Sequence, residues 1–209
     1  MIESLPSDVD VPGDVLLAGY FVALPERLHG AGLPRAERLT SASACVIDQF
    51  PADGCWFATA REALAACRPL PLPAEARLYA LLVPSEDVGG LVADILAART
   101  DEPVLLARLG GQGSGEAAPR VPEGGHELGW EVLGYDGGLL HTWLCNDLYE
   151  DGRLDLGVET DERGLLPDRQ TARRVAAWAN GRGDTKPVTW FPGTLIEWDI
   201  LAWSRFGPV

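Results

Sequence analysis

The chain has 209 residues, is 46% hydrophobic, and carries a formal net charge of −14 with a pI near 4.5. That length and apolar content suffice for a substantial buried core, and they exclude a disordered chain. The charge excludes nucleic acid as a partner, which needs a basic face to displace condensed counterions, and disfavours anionic membrane surfaces. Four scattered cysteines (Cys45, Cys55, Cys67, Cys145) do not make a disulfide scaffold, and with three histidines the vocabulary for metal binding is thin, so neither metal nor cofactor is expected. No run of eighteen apolar residues occurs, and the acidic start MIESLPSDVD is unlike a secretory signal. A cytoplasmic protein is the expectation. A single lysine, Lys186, among 17 basic residues, with abundant Ala, Gly, Pro and Arg, points to a high-GC bacterial genome.

In chain order, residues 1–14 read as an arm punctuated by Pro6, Pro12 and Gly13. Leu16–Leu24 and Ala44–Phe50 read as strands around a long loop, Pro25–Ser43. Thr59–Cys67 reads as a helix ended by Pro69, Pro71 and Pro73, and Arg77–Val83 as a strand. Ser85 offers a cap to a helix whose Val88, Leu91, Val92, Ile95 and Leu96 recur at helical spacing. Pro103–Leu109 reads as a short strand and Gly110–Gly125 as a linker. Its Gly111-Gln112-Gly113-Ser114-Gly115 lacks the following helix that a phosphate loop requires. Trp130–Asp136 and His141–Asp147 read as strands, Asp168–Ala179 as a helix, and Pro187–Trp190 leads into a strand over Thr194–Trp203.

This order gives an α+β domain spanning 1–209, with two pseudo-repeated sheet-plus-helix modules, 14–84 and 129–203, joined through 85–128. Gly19-Tyr20 matches Gly134-Tyr135 and Gly54 matches Gly164 in that alignment.

Three places carry chemistry. Gly54-Cys55-Trp56 ahead of a helix resembles the Cys-Trp opening of papain-like cysteine proteases; it would make Cys55 a nucleophile, His141 or His126 its base and Asn146 or Asp147 an orienting group. A buried structural cysteine fits the same residues. His141–Asp147, taken as a strand, separates His141 from Cys145 by roughly 13 Å, too far to share zinc. Asp147–Glu162 concentrates acids without EF-hand spacing, so it reads as a solvated acidic loop or as a recognition patch of Asp147, Glu150, Asp151, Asp155 and Glu159 for a basic protein. Six of seven tryptophans fall in the second half, where Trp143, Trp190 and Trp198 are candidate interface anchors.

Trp130–Asp136, His141–Asn146 and Gly164-Leu165-Leu166 with the helix after them resemble a group of small bacterial proteins without assigned activity, some of them similar to immunity proteins for polymorphic toxins. The resemblance covers about 70 residues and implies a cytosolic bacterial protein that works by binding. The resulting expectation is a non-catalytic, acidic, immunity-type inhibitor of a basic protein, with oligomeric state open. Two alternatives stand beside it: a cysteine hydrolase using Cys55 with His141 or His126, and a small-ligand pocket between the modules lined by Trp143, Trp190 and Cys145.

Overall fold

A computed structural model describes residues 7–11, 13–26, 38–53, 55–98, 120–136, 139–145, 148–185 and 188–200. Eight strands and four helices follow in the order β1 (Asp8–Asp10), β2 (Val15–Leu24), β3 (Asp48–Phe50), α1 (Ala60–Cys67), β4 (Arg77–Pro84), α2 (Val88–Ala98), β5 (Arg120–Pro122), β6 (His126–Asp136), β7 (Leu139–Thr142), α3 (Leu148–Leu156), α4 (Arg169–Asn180) and β8 (Trp190–Asp199). The class is α+β. Six strands form one antiparallel sheet in the order β3-β2-β4-β8-β6-β7, and β1 pairs with β5 in a separate ribbon.

The inner strands are apolar because both of their faces are covered. In β4, Leu78, Ala80 and Leu82 enter one cluster while Tyr79, Leu81 and Val83 enter another on the opposite face. Helix α1 packs on the first face over β2 and β4, and α4 with α3 lies over β6 and β8 on that side. Helix α2 and the segment Leu39–Ile47 cover the other face. Thr59 caps α1 through a capping box with Glu62, and Asp168 caps α4, so both helices begin where a short polar side chain satisfies a free N–H.

The first half of the sheet runs strand, strand, helix, strand (β2, β3, α1, β4) and the second strand, strand, helix, helix, strand (β6, β7, α3, α4, β8), and two local features recur between them. A bulge between Leu17 and Gly19 in β2 has a counterpart between Glu127 and Gly129 in β6. Tyr20 then bridges Phe57 two residues before the α1 cap, as Trp130 bridges Leu166 two residues before the α4 cap. The two bulge glycines face Leu81 and Leu195, which pair with one another where β4 meets β8. The register therefore equates Gly19-Tyr20 with Gly129-Trp130, correcting the match to Gly134-Tyr135, and sets Cys55 opposite Gly164. Gly54 lies outside the described residues.

Other expectations shift. The arm contributes β1, the linker contributes β5, and β6 begins at His126, ahead of the expected Trp130. Ala44–Phe50 is a strand only at its last three residues; Ala44–Val46 form a turn. His141–Asp147 bends after Thr142, where Cys145 N–H donates to the Thr142 carbonyl at 3.0 Å. The acidic loop contains α3. Ser85 donates to the Asp14 carbonyl at 3.3 Å, and α2 begins at Val88. Pro103–Leu109 lies outside the described residues. Among the described residues no helix is long and apolar enough to cross a membrane.

Gly129 holds a backbone φ of +151°, and a Cβ there would sit 3.1 Å from Leu165 Cβ and from the Leu166 carbonyl oxygen. Gly19 has the same place in the first half without the positive φ, its nearest neighbour being the Phe57 oxygen at 3.2 Å. Gly129→Ala is thus expected to destabilise by about 2 kcal/mol, and Gly19→Ala by less, in urea unfolding.

Candidate functional site

Two regions gather chemistry, on opposite faces of the sheet. The first lies over β6 and β7. Alternation points Trp130 and Val132 under α4, and turns Glu131 with Leu133 and Tyr135 to the other face. Glu131 is fully buried, with two oxygens facing donors from the segment above. Ser41 Oγ donates to Oε1, Ala42 N–H donates to Oε2 at 2.9 Å, and Thr142 is a second side-chain partner. Ser41 Oγ also accepts from Ser43 N–H at 2.9 Å, Ser43 Oγ from Cys45 N–H at 3.2 Å, and Gln49 Nε2 donates to the Ala42 carbonyl at 3.0 Å. Ser41, Ser43, Gln49, Glu131 and Thr142 are thereby buried polar residues in a bonded network.

That network holds the turn carrying Cys45 over β7. Cys45 Sγ lies 3.2 Å from His141 Nδ1, and His141 Nε2 faces Asp136 Oδ2 at 3.9 Å. Cys145, half-buried in the next turn, has the Cys45 thiol as a hydrogen-bonding neighbour. Burial pushes the Cys145 thiol up to about 11, with the charges of Cys45 and Glu131 adding to the rise. Among the described residues no three His, Cys, Asp or Glu side chains converge as metal ligands.

The structure places His141 beside Cys45 rather than beside the Cys55 of the sequence motif. Cys55 precedes the Tyr20–Phe57 bridge, four residues ahead of the α1 cap, and its electrostatic neighbour is Cys67, while His141 contacts Cys45. His126 opens β6 in an exposed position. Asn146 and Asp147 lie outside the described residues. Cys45 and Glu131 escaped the sequence reading because 96 residues separate Cys45 from His141. The available signal was Glu131 itself, an acid at an inward position of a strand buried on both faces.

The second region is the α3 surface. Leu148, Tyr149 and Gly152 face inward, Gly152 so tightly that a Cβ would meet Trp143 Cζ3 at 3.0 Å. Glu150, Leu154 and Asp155 face solvent, with Asp151 beside them. Arg153 binds Glu150 through two N–H groups, at 2.6 and 3.2 Å, and holds its carboxyl below the ordinary carboxylate range. Arg182 donates to Asp151 at 2.7 Å, lies 3.9 Å from Asp155, and stacks over Trp178 with 4.8 Å from Cζ to the ring centroid. The Trp178 indole N–H donates to Asp155 at 3.1 Å. Glu159 is exposed in the irregular segment after α3, between buried Val158 and Thr160. On the same helix Leu154 is 65% exposed.

The tryptophans assigned as anchors are elsewhere. Trp143 and Trp190 are buried under α3 and α4, and Trp198 is buried against β1 and β5, its indole N–H donating to the Pro122 carbonyl at 3.3 Å. With Trp143 and Trp190 inside the core, they do not line a ligand pocket between the halves. A groove of about 250 Å³ lies instead between the β1–β5 ribbon and the sheet, lined by Val11, Leu82, Val121, Ile196 and Trp198.

Nothing matches this chain among known protein families, curated proteins or solved structures.

Burial is the largest influence on Glu131. It outweighs the hydrogen bonds from Ser41, Ala42 and Thr142 and pushes the carboxyl up to about 7 from an ordinary 4.5. The folded state keeps this proton to higher pH than the unfolded chain does, so between these values it binds more protons. Glu131's contribution is fully present below about pH 4.5 and is lost as pH rises through about 7, a change on the order of 3 kcal/mol. Urea unfolding of wild type and Glu131→Gln across this range is expected to show a falling difference in stability with rising pH.

Proposed function

We propose that the protein acts by binding a basic protein partner through the exposed face of α3, in the manner of an immunity-type inhibitor. The observation that carries this reading is Leu154, 65% exposed on α3, with Glu150 and Asp151 one turn before it, Asp155 next to it and Glu159 exposed just beyond the helix. An apolar centre within a charged rim is the anatomy of a specific interface, where packing sets dissociation and charge sets encounter. The acids are also fixed in place. Arg153, Arg182 and Trp178 hold three of them, so less side-chain freedom is lost when a partner docks. An Arg- or Lys-bearing surface with a small apolar pocket is the complementary shape. The net charge of −14 adds long-range attraction for such a partner at low salt.

The test is capture of partners from a bacterial host lysate at low salt, followed by kinetics with the purified partner. Leu154→Ala is expected to raise the dissociation rate about tenfold, with stability unchanged because the side chain is exposed. Glu150→Gln with Glu159→Gln is expected to slow association at low ionic strength and to have little effect at high salt. A basic partner whose binding ignores Leu154→Arg would overturn the reading.

A further inference from the structure

We propose that Cys45, His141 and Cys145 form a peroxide-reactive dithiol site, in which Cys45 is the attacking thiol, His141 its proton acceptor and Cys145 the thiol that closes a reversible disulfide. The site is independent of the α3 surface and stands on its own geometry. Cys45 is exposed on a turn with its sulfur 3.2 Å from His141 Nδ1, and Asp136 faces the other ring nitrogen at 3.9 Å. With the ring proton on Nε2 toward Asp136, Nδ1 is the acceptor for the Cys45 thiol proton. Cys145 is a hydrogen-bonding neighbour of Cys45 and is more buried, which suits a thiol that waits for the first to react.

The backbone beside the thiol argues for redox chemistry over acyl transfer. Acyl transfer needs N–H groups aimed at a developing oxyanion. Here Cys45 N–H donates to Ser43 Oγ, Val46 N–H to the Ser43 carbonyl, Leu144 N–H to Thr142 Oγ1 and Cys145 N–H to the Thr142 carbonyl. These four donors are engaged within their own turns, while a hydroperoxide requires only an exposed thiolate and a proton donor for its leaving oxygen.

The reaction balances in two steps. His141 accepts the Cys45 proton, the sulfur attacks the terminal oxygen of a hydroperoxide, an S–O bond forms as the O–O bond breaks, and the leaving alkoxide takes the proton from His141 as an alcohol. Cys45 is then a sulfenic acid. The Cys145 sulfur attacks it, the S–S bond forms, the S–O bond breaks, and the departing hydroxide combines with the Cys145 proton as water. Two thiols are oxidised by two electrons and one hydroperoxide is reduced. A small-molecule thiol reverses the disulfide, in keeping with the transient role of such bonds in reducing compartments.

The experiment treats the reduced full-length protein with tert-butyl hydroperoxide and reads intact mass and cysteine-containing peptides. The expected product has lost two hydrogens and links Cys45 to Cys145, and dithiothreitol reverses it. In Cys145→Ser, a dimedone adduct should accumulate on Cys45. In His141→Gln, Cys45 oxidation should slow about tenfold or more, because the ring that contacts the Cys45 sulfur and faces Asp136 is gone. Cys55→Ser and Cys67→Ser should leave the product unchanged. In the wild-type protein, needing no variant to fold, iodoacetamide should label Cys45 ahead of Cys55. A disulfide through Cys55 or Cys67, preferential labelling of Cys55, or unchanged mass at peroxide excess would overturn the proposal.

Discussion

The pairing of β4 with β8 is the constraint on which the rest of the molecule depends. Arg77–Leu82 runs antiparallel to Thr194–Asp199, with Leu81 directly opposite Leu195 and neither exposed. Each of these leucines also faces a bulge glycine on its outer neighbour, so β2 and β6 take their register from this pair. The bulges shift the alternation of side chains by one residue. In β2, Val15 and Leu17 lie on the α1 face before the bulge, and Tyr20 and Val22 lie on it afterwards. Without that shift Phe21 and Ala23 would point at α1 and the second face would lose its lining.

The second face solves a different problem. Its cover over β6 is an irregular segment, and a buried segment of that kind leaves backbone groups without partners. Arg38 and Thr40 donate to the carbonyls of Glu162 and Arg163, Gln49 donates to the Ala42 carbonyl, and Glu131 receives Ala42 N–H and Ser41 Oγ. One buried acid and a few small hydroxyls thus act as the clasp that positions the Cys45 turn beside His141. Tyr79 and Glu197 make a similar contact further along this face at 2.9 Å, with Arg163 at 3.5 Å from the same carboxylate. Burial and the neighbouring Glu197 push the Tyr79 hydroxyl up, so it stays a neutral donor.

The sequence displays its local chemistry well and its long-range chemistry poorly. Strands β2 and β4 are continuous apolar runs, and α1 and α4 carry caps at Thr59 and Asp168, so these elements can be read from short windows, whereas β8 is broken by Pro192 and Gly193 and starts at Trp190, four residues before the expected Thr194. Helix α3 was hidden because its inward positions are only Leu148, Tyr149 and Gly152 amid acids, and a glycine that exists to admit the Trp143 ring reads as a loop residue. The exposed Leu154 carries no mark in the sequence that sets it apart from core leucines. The approach of Cys45 to His141 depends on the tertiary clasp at Glu131, so no local pattern contains it. Motif reading chose Cys55 for its neighbours in sequence; Cys45 has its partner only in space.

The central ladder also dictates how the chain is made. Leu81 and Leu195 stand more than a hundred positions apart, so at ribosomal elongation rates β4 is complete roughly ten seconds before β8 can reach it. During that interval the innermost strand of the finished sheet is an open edge, apolar on both sides and without the short length or charge that shields natural edges. In the finished protein the edges are β3 and β7, three and four residues long. Nascent chains stalled before Trp190 are for this reason the form most exposed to strand-to-strand association.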